Sequence, residues 1–273
     1  MSTLALPLAE ATSTPRRSRL YWALIDTLVV ARRHLLHIPQ QPEQLVSATI
    51  QPVMFVLLFR YIFGGAIETP GTSYVNFLMA GIFVQSVVME GVTGGVSLAY
   101  DLKQGIVDRF RSLPMASSAM LSGPILADLA RNLFVIGVML VVGLAVGFRP
   151  EAGAGGWLGA IAVLLATSFA VSWIGTLVAL IVRDPVAVQT MAFVALMPLA
   201  FASSAFVPVE TMPTWLQPIV VHQPVSVIVD AVRGLLLAQP AGAAVWQALA
   251  WCAAIVAACL PASVVLYRRM GRG

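Results

Sequence analysis

The chain has 273 residues, 59% of them apolar and only 10% charged, with a mean hydropathy of +0.89. A soluble domain averages roughly 45–50% apolar residues, and so little charge cannot clothe a water-facing core of this size, so a soluble enzyme or scaffold is excluded and an integral membrane protein remains. The net charge of +4 is spread over fifteen Arg and one Lys in many loops; no aromatic-lined basic face accompanies it, which excludes nucleic acid as a partner and leaves membrane orientation as its role.

Residues 1–19 are expected to be a flexible cytoplasmic N-terminus. Arg16, Arg17 and Arg19 ahead of an apolar run imitate a secretion signal, but Asp26 interrupts the run, Arg32 and Arg33 follow it, and no small-residue cleavage site is present. Residues 20–38 instead read as a helix lying in the cytoplasmic interface: Tyr21, Leu24, Ile25, Leu28, Leu35 and Leu36 recur at helical spacing. Tyr21 and Trp22 are expected at headgroup level, and Arg32 and Arg33 belong to the same interfacial helix. Pro39 and Pro42 then turn the chain into the membrane.

Residues 20–273 read as one all-α membrane domain with six spans, near 45–63, 74–98, 132–148, 157–182, 186–207 and 243–267. Each is long and apolar enough for roughly 30 Å of hydrocarbon. Twelve of the sixteen basic residues fall in the N-terminal segment, the second-to-third connection, the fourth-to-fifth connection and the tail. The positive-inside rule places those parts, and both termini, in the cytoplasm. Between the fifth and sixth spans, Pro213, Pro218, Pro224 and Pro240 forbid another crossing. Two short outer helices are expected there, near 214–221 and 225–238, dipping into the outer leaflet. In the second, an apolar stripe (Val225, Ile228, Val229, Val232, Leu235, Leu236) lies opposite Ser226, Asp230 and Arg233.

Little in the chain suits catalysis. A phosphate-gripping loop needs a lysine after its glycines, and the only lysine, Lys103, stands in Leu102-Lys103-Gln104-Gly105. If ATP drives this protein, another polypeptide binds it, and no cofactor or metal is held by this chain. His34 and His37 lack carboxylate or thiol partners for a metal, and His222 before Gln223-Pro224 reads as a cap or turn residue. Cys252 and Cys259 lie about 10 Å apart along one helix, too far for a disulfide.

Charges within the membrane are better functional candidates. Glu90 lies about two-thirds along the second span beside Gly91, Gly94 and Gly95, and needs a partner, a proton or water to be buried there. It reads as a structural acceptor from a neighbouring helix or as part of a polar substrate path. Asp128 and Arg131, three apart at the mouth of the third span, read as an intrahelical pair. Three Gly-x-x-x-Gly matches (91/95, 143/147, 155/159) permit close helix approach.

The segment 101–114, DLKQGIVDRFRSLP, carries five charges between two apolar runs. Setting topology needs positive residues only; it does not explain Asp101, Asp108, or Ile106 and Phe110 at a helical i, i+4 spacing. This segment and 206–237, FVPVETMPTWLQPIVVHQPVSVIVDAVRGLLL, resemble the ABC type-2 export permeases, in particular their daunorubicin-type drug-resistance branch. The order of segments matches over roughly 20–267.

The resemblance implies a bacterial cytoplasmic-membrane permease that pairs with a second permease subunit, identical or different, among membrane lipids. It also implies two copies of an ATPase subunit holding ATP and Mg²⁺. On this chain it puts the ATPase-coupling interface at Lys103, Gly105, Ile106, Asp108, Arg109, Phe110, Arg111 and Pro114, with the interfacial helix as a second contact. A substrate route is implied at the dimer interface along the first, second and fifth spans, closed outside by Trp215, His222, Asp230 and Arg233. The sparsely polar spans suit a lipophilic drug or lipid. A polysaccharide export permease and a proton-coupled secondary transporter using Glu90 are the alternatives.

Overall fold

The computed structural model describes residues 42–64, 69, 72–105 and 117–270. Trp22, Arg32 and Arg33 of the expected interfacial helix lie outside the described residues, as do Ile106, Asp108, Arg109, Phe110, Arg111 and Pro114 of the expected coupling segment.

The described residues are helical, without a strand. In chain order the helices are α1 (Pro42–Leu58), α2 (Tyr74–Glu90), α3 (Thr93–Lys103), α4 (Ser117–Ala145), α5 (Ala154–Val182), α6 (Pro185–Phe201), α7 (Gln217–His222), α8 (Pro224–Leu236) and α9 (Gly242–Arg269). Four stretches are long and apolar enough to cross a bilayer: Tyr74–Lys103, Gly123–Ala145, Ala154–Val182 and Gly242–Tyr267. Ala48–Phe63 and Pro185–Phe201 are apolar but shorter.

The ends of these helices follow local chemistry. Ser73 caps α2, its hydroxyl oxygen accepting from the Asn76 amide at 3.3 Å. Asp184 caps α6 in the same way, accepting from the Ala187 amide at 3.0 Å, and Pro185 fills the first helical position, where no amide hydrogen is needed. Arg183 closes α5 in the left-handed region at φ 57°, and Gly105 stands beyond α3 at φ 68°.

The bundle is organised around α5, which packs on α2, α3, α4, α6, α8 and α9. Its buried positions are dominated by small and hydroxyl residues, among them Ser168, Ala170, Ser172, Gly175, Thr176 and Ala179. Within a membrane, lipid is as apolar as leucine, so such residues gain association by letting backbones approach. Gly95 of α3 lies directly on Gly175 of α5: a Cβ on Gly95 would stand 2.4 Å from the Gly175 carbonyl. Hydroxyls bond back along α5, Thr167 to Val163 O at 2.9 Å and Thr176 to Ser172 O at 2.8 Å. Cys252 of α9 is buried against Thr167, Sγ to Oγ1 3.8 Å, and neither cysteine is disulfide-bonded.

Several expectations need correction. The second membrane segment is not one unbroken helix. It turns at Gly91–Val92, directly after Glu90, and continues to Lys103, which moves Glu90 to about the middle of the 30-residue stretch. The third helix begins at Ser117 rather than near 132, so Asp128 and Arg131 lie within it. Unpaired charge is costly in hydrocarbon, and here the two charges are paired with each other. The same helix ends at Ala145, leaving Phe148 in the following turn, fully buried between Phe83 and Trp157. Of the glycine pairs, 91/95 meets α5, at Val171 and Gly175; Gly147 and Gly155 face open space. The outer helices are Gln217–His222 and Pro224–Leu236. In α8, Ser226 is fully buried and the Arg233 side chain nearly so, on the side opposite the apolar stripe.

Segments read from charge as sharing one side do meet. Lys103 at the end of α3 reaches Asp184 between α5 and α6, Nζ to Oδ2 2.9 Å. At the opposite end, Asn76 donates to Arg149 O at 3.1 Å and accepts from the Arg149 amide at 2.9 Å. There too the amides of Glu151 and Ala152 donate to Leu236 O.

Candidate functional site

Two polar sites and an aromatic cluster lie along α1, α2 and α6. The inner site is built where α2 breaks into α3. Arg131 of α4 reaches both carboxylates there: Nη2 is 2.5 Å from Asp128 Oδ1, and Nε is 3.5 Å from Glu90 Oε2. The Ser172 hydroxyl donates to Asp128 Oδ2 at 3.4 Å, and the Thr93 hydroxyl to Glu90 Oε2 at 3.4 Å. Gly94 has no Cβ where one would stand 2.1 Å from Asp128 Oδ2, so the carboxylate can lie against the α3 backbone. The expected Asp128–Arg131 pair is thus present and Glu90 joins it. Deeper in, the Asn132 amide donates to the Ser168 hydroxyl at 2.8 Å.

Glu90 also faces open space. A cavity of about 200 Å³ between α1, α2, α3 and α6 is lined by Gln51, Met89, Glu90, Thr93, Gln189 and Phe193 among others. A water-sized hollow of about 10 Å³ adjoins it, bordered by Phe55, Gln85 and Ser86 together with Gln51 and Glu90. Non-helical backbone at membrane depth is tolerated where it is buried in protein or lines a cavity, and Val92 of the α2–α3 turn lines this one.

Above the hollow stands a phenylalanine cluster. Phe59 stacks on Phe206 at 4.6 Å and Phe201 on Phe206 at 5.2 Å, while Phe55 touches Phe59, Phe201 and Phe206 at 6.1–6.3 Å between ring centres. At Phe59–Phe63 the first helix widens into a π-turn, a local distortion frequent at functional sites.

The outer site lies beyond the cluster. Arg233 of α8 donates to Ser204 O at 2.6 Å and Asp230 Oδ1 at 2.8 Å, and its guanidinium lies 3.7 Å from the centre of the Phe77 ring. The Ser204 hydroxyl donates to Asp230 Oδ1 at 2.9 Å. One side chain therefore ties α8 to α2 and to the turn after α6, beside a cavity of about 440 Å³ lined by Thr72, Glu210, Gln217 and Gln239 as well. Arg233→Met removes a charged hydrogen-bond donor of the kind that contributes about 1.5–3 kcal/mol. Labelling of a cysteine introduced at Gln217 by a membrane-impermeant thiol reagent should accelerate by about tenfold.

The remaining sequence candidates are dispersed. Trp215 is 70% exposed and outside the outer cavity. His222 is exposed, with Nδ1 2.9 Å from Pro218 O on its own helix, as suits a turn residue. Lys103 is bonded to Asp184. That ammonium, followed by the Ala187 amide, holds the Asp184 carboxyl below the usual carboxylate range. The tie is therefore present throughout neutral pH and, on the acid side, is lost as pH falls through that lowered value. Sequence reasoning missed Gln51, Gln189 and Thr93. Polar amides in otherwise apolar segments were the available signal, as was the i, i+4 spacing of Phe55 and Phe59.

Residues 26–237 match the family model described as ABC-2 type transporter. The chain is 36% identical over 246 residues to the daunorubicin resistance ABC transporter permease protein DrrB1 of Streptomyces coeruleorubidus, covering 90% of this chain and 87% of that one. It is 29% identical over 251 residues to the probable doxorubicin resistance ABC transporter permease protein DrrC of Mycobacterium tuberculosis, covering 89% and 88%. Over 213 residues it is 26% identical to the putative transport permease ycf38 of Porphyra purpurea, covering 77% and 72%.

Proposed function

The chain belongs to the ABC-2 type transporter family and is a membrane permease subunit of an ABC exporter; on that premise we propose that it moves a lipophilic drug or lipid outward across a bacterial cytoplasmic membrane. The drug half of that cargo class rests on the relatives named for daunorubicin and doxorubicin resistance. The observation that carries the route is the succession of an inner cavity at Glu90, a phenylalanine cluster, and an outer cavity at Arg233 along α1, α2 and α6.

In this reading the chain crosses six times, with α1 and α6 as the two shorter spans and both termini in the cytoplasm. The helices α7 and α8 enter the outer leaflet and return. Two permease chains pair across the exposed faces of α1 and α6, and two ATPase chains hold ATP and Mg²⁺. Residues 105–114 dock on the ATPase, where Asp108, Arg109 and Arg111 make ion pairs and α3 carries the movement to the inner cavity. ATP binding then favours a state in which the phenylalanines part and the Arg233 tie releases.

The coupling claim is tested by Asp108→Arg combined with Arg109→Glu. The double variant should lose the ATPase on co-purification and lose ATP-driven export while keeping its helical content. Undiminished export with the ATPase still bound would contradict docking at this segment.

A further inference from the structure

Among the described residues, the ionisable groups at the inner cavity do not balance in formal charge. Three ionisable groups form its core, the Glu90 and Asp128 carboxylates and the Arg131 guanidinium, which leaves one negative charge in excess. Arg131 is bonded to Asp128 at 2.5 Å but stands 3.5 Å from Glu90, its Nε without a hydrogen-bond partner among the described residues. The tighter pair lies off the cavity wall, and Glu90 is the charged residue on it. The ends of α2 and α3 meet at this point with opposite partial charges, so the helix dipoles largely cancel and the side chains decide the sign.

The rest of the wall matches that sign. Phe193 presents an aromatic ring, and Met89 a polarizable thioether. Gln51, Gln189 and Thr93 supply neutral polar groups able to accept hydrogen bonds from or solvate a cation. An aromatic face with a nearby carboxylate in a poorly solvated site is the chemistry that recognises alkylammonium groups. An anion would meet the Glu90 carboxylate there, with repulsion strengthened by the low dielectric.

We propose that the cavity between α1, α2, α3 and α6 is a binding site for lipophilic cations, held by Glu90 and the ring of Phe193. The site accepts the charged head, and the apolar remainder extends between α1 and α6, whose outer faces include the exposed Ile50, Met54 and Val194. The proposal deepens the export reading by assigning the cargo a charge. It rests on that reading only for the cargo's fate, since binding needs no ATP.

The test is equilibrium binding to the assembled transporter in lipid nanodiscs, corrected for empty discs. The two probes are phenyltrimethylammonium and its uncharged isostere tert-butylbenzene. Wild type should hold the cation about tenfold more tightly than the isostere. Glu90→Gln should remove that preference, leaving isostere binding unchanged, and Glu90→Asp should keep part of it. Phe193→Leu, at a half-exposed position that tolerates substitution, should weaken the cation about fivefold and the isostere little. It serves also if Glu90→Gln fails to assemble. Equal affinity for both probes in wild type, or equal loss of both in Phe193→Leu and Glu90→Gln, would overturn the proposal. Charge-selective binding without ATP-driven export of the cation would instead overturn the export reading and leave the site standing.

Discussion

Arg131→Met should prevent the protein from accumulating in the membrane. The change leaves the Glu90 and Asp128 carboxylates close together with no counter-charge, and Asp128 is 2% exposed. Removing one partner of a buried ion pair costs about 3–5 kcal/mol, against a total stability of about 5–15 kcal/mol for a typical domain. The Ser172 and Thr93 hydroxyls, each at 3.4 Å, cannot replace a guanidinium at 2.5 Å from Asp128. Adding Glu90→Gln and Asp128→Asn to Arg131→Met should restore accumulation, because the unpaired charge is then gone. Detergent-solubilised size-exclusion profiles of the single and triple variants give the comparison. A single variant as abundant and monodisperse as wild type would show that the three charges do not hold the bundle.

Gly95→Leu should be nearly as damaging, for a reason of backbone geometry. Its Cβ would enter the Gly175 backbone, which cannot rotate away as a side chain could. The helices α3 and α5 must separate, and overpacking of this kind costs about 1–3 kcal/mol or more. Since α3 leads directly into the proposed coupling segment, ATPase activity should also lose its dependence on cargo. Gly155→Ala is the control. It belongs to a glycine pair of the same spacing, yet nothing stands within 4 Å of its added Cβ, so its effect should stay within about 0.5 kcal/mol. Thermal unfolding followed by tryptophan fluorescence separates the two.

The contrast between those glycines shows where the sequence was legible. Apolar length was enough to find the four stretches long enough to cross a bilayer, though not where the third of the expected spans begins, and basic asymmetry grouped Lys103 with the loop that holds Asp184. Proline placement identified α7 and α8 as short helices. Spacing by itself could not say which Gly-x-x-x-Gly pair meets a neighbour, because that depends on the rotation of helices distant in sequence. The same limit applied to charge. Asp128 and Arg131 at i, i+3 were readable as a local pair, whereas Glu90 joins them from 41 positions away. Periodicity placed Arg233 opposite the apolar stripe of its helix, but not its partners: Ser204 O, Asp230 and the Phe77 ring, which satisfy its charge. The phenylalanine cluster draws on α1, α6 and the turn after α6, so only half of it had a local signature.

The rival reading has Glu90 carry a proton across the membrane. Reconstitution decides between the two drives. The purified permease is placed in liposomes with and without its ABC ATPase partner, and a fluorescent lipophilic cation is followed. Transport that requires the ATPase and ATP, and persists when the pH gradient is collapsed, is the result expected of an ABC export permease. Transport driven by a pH gradient across liposomes holding this chain alone would contradict it.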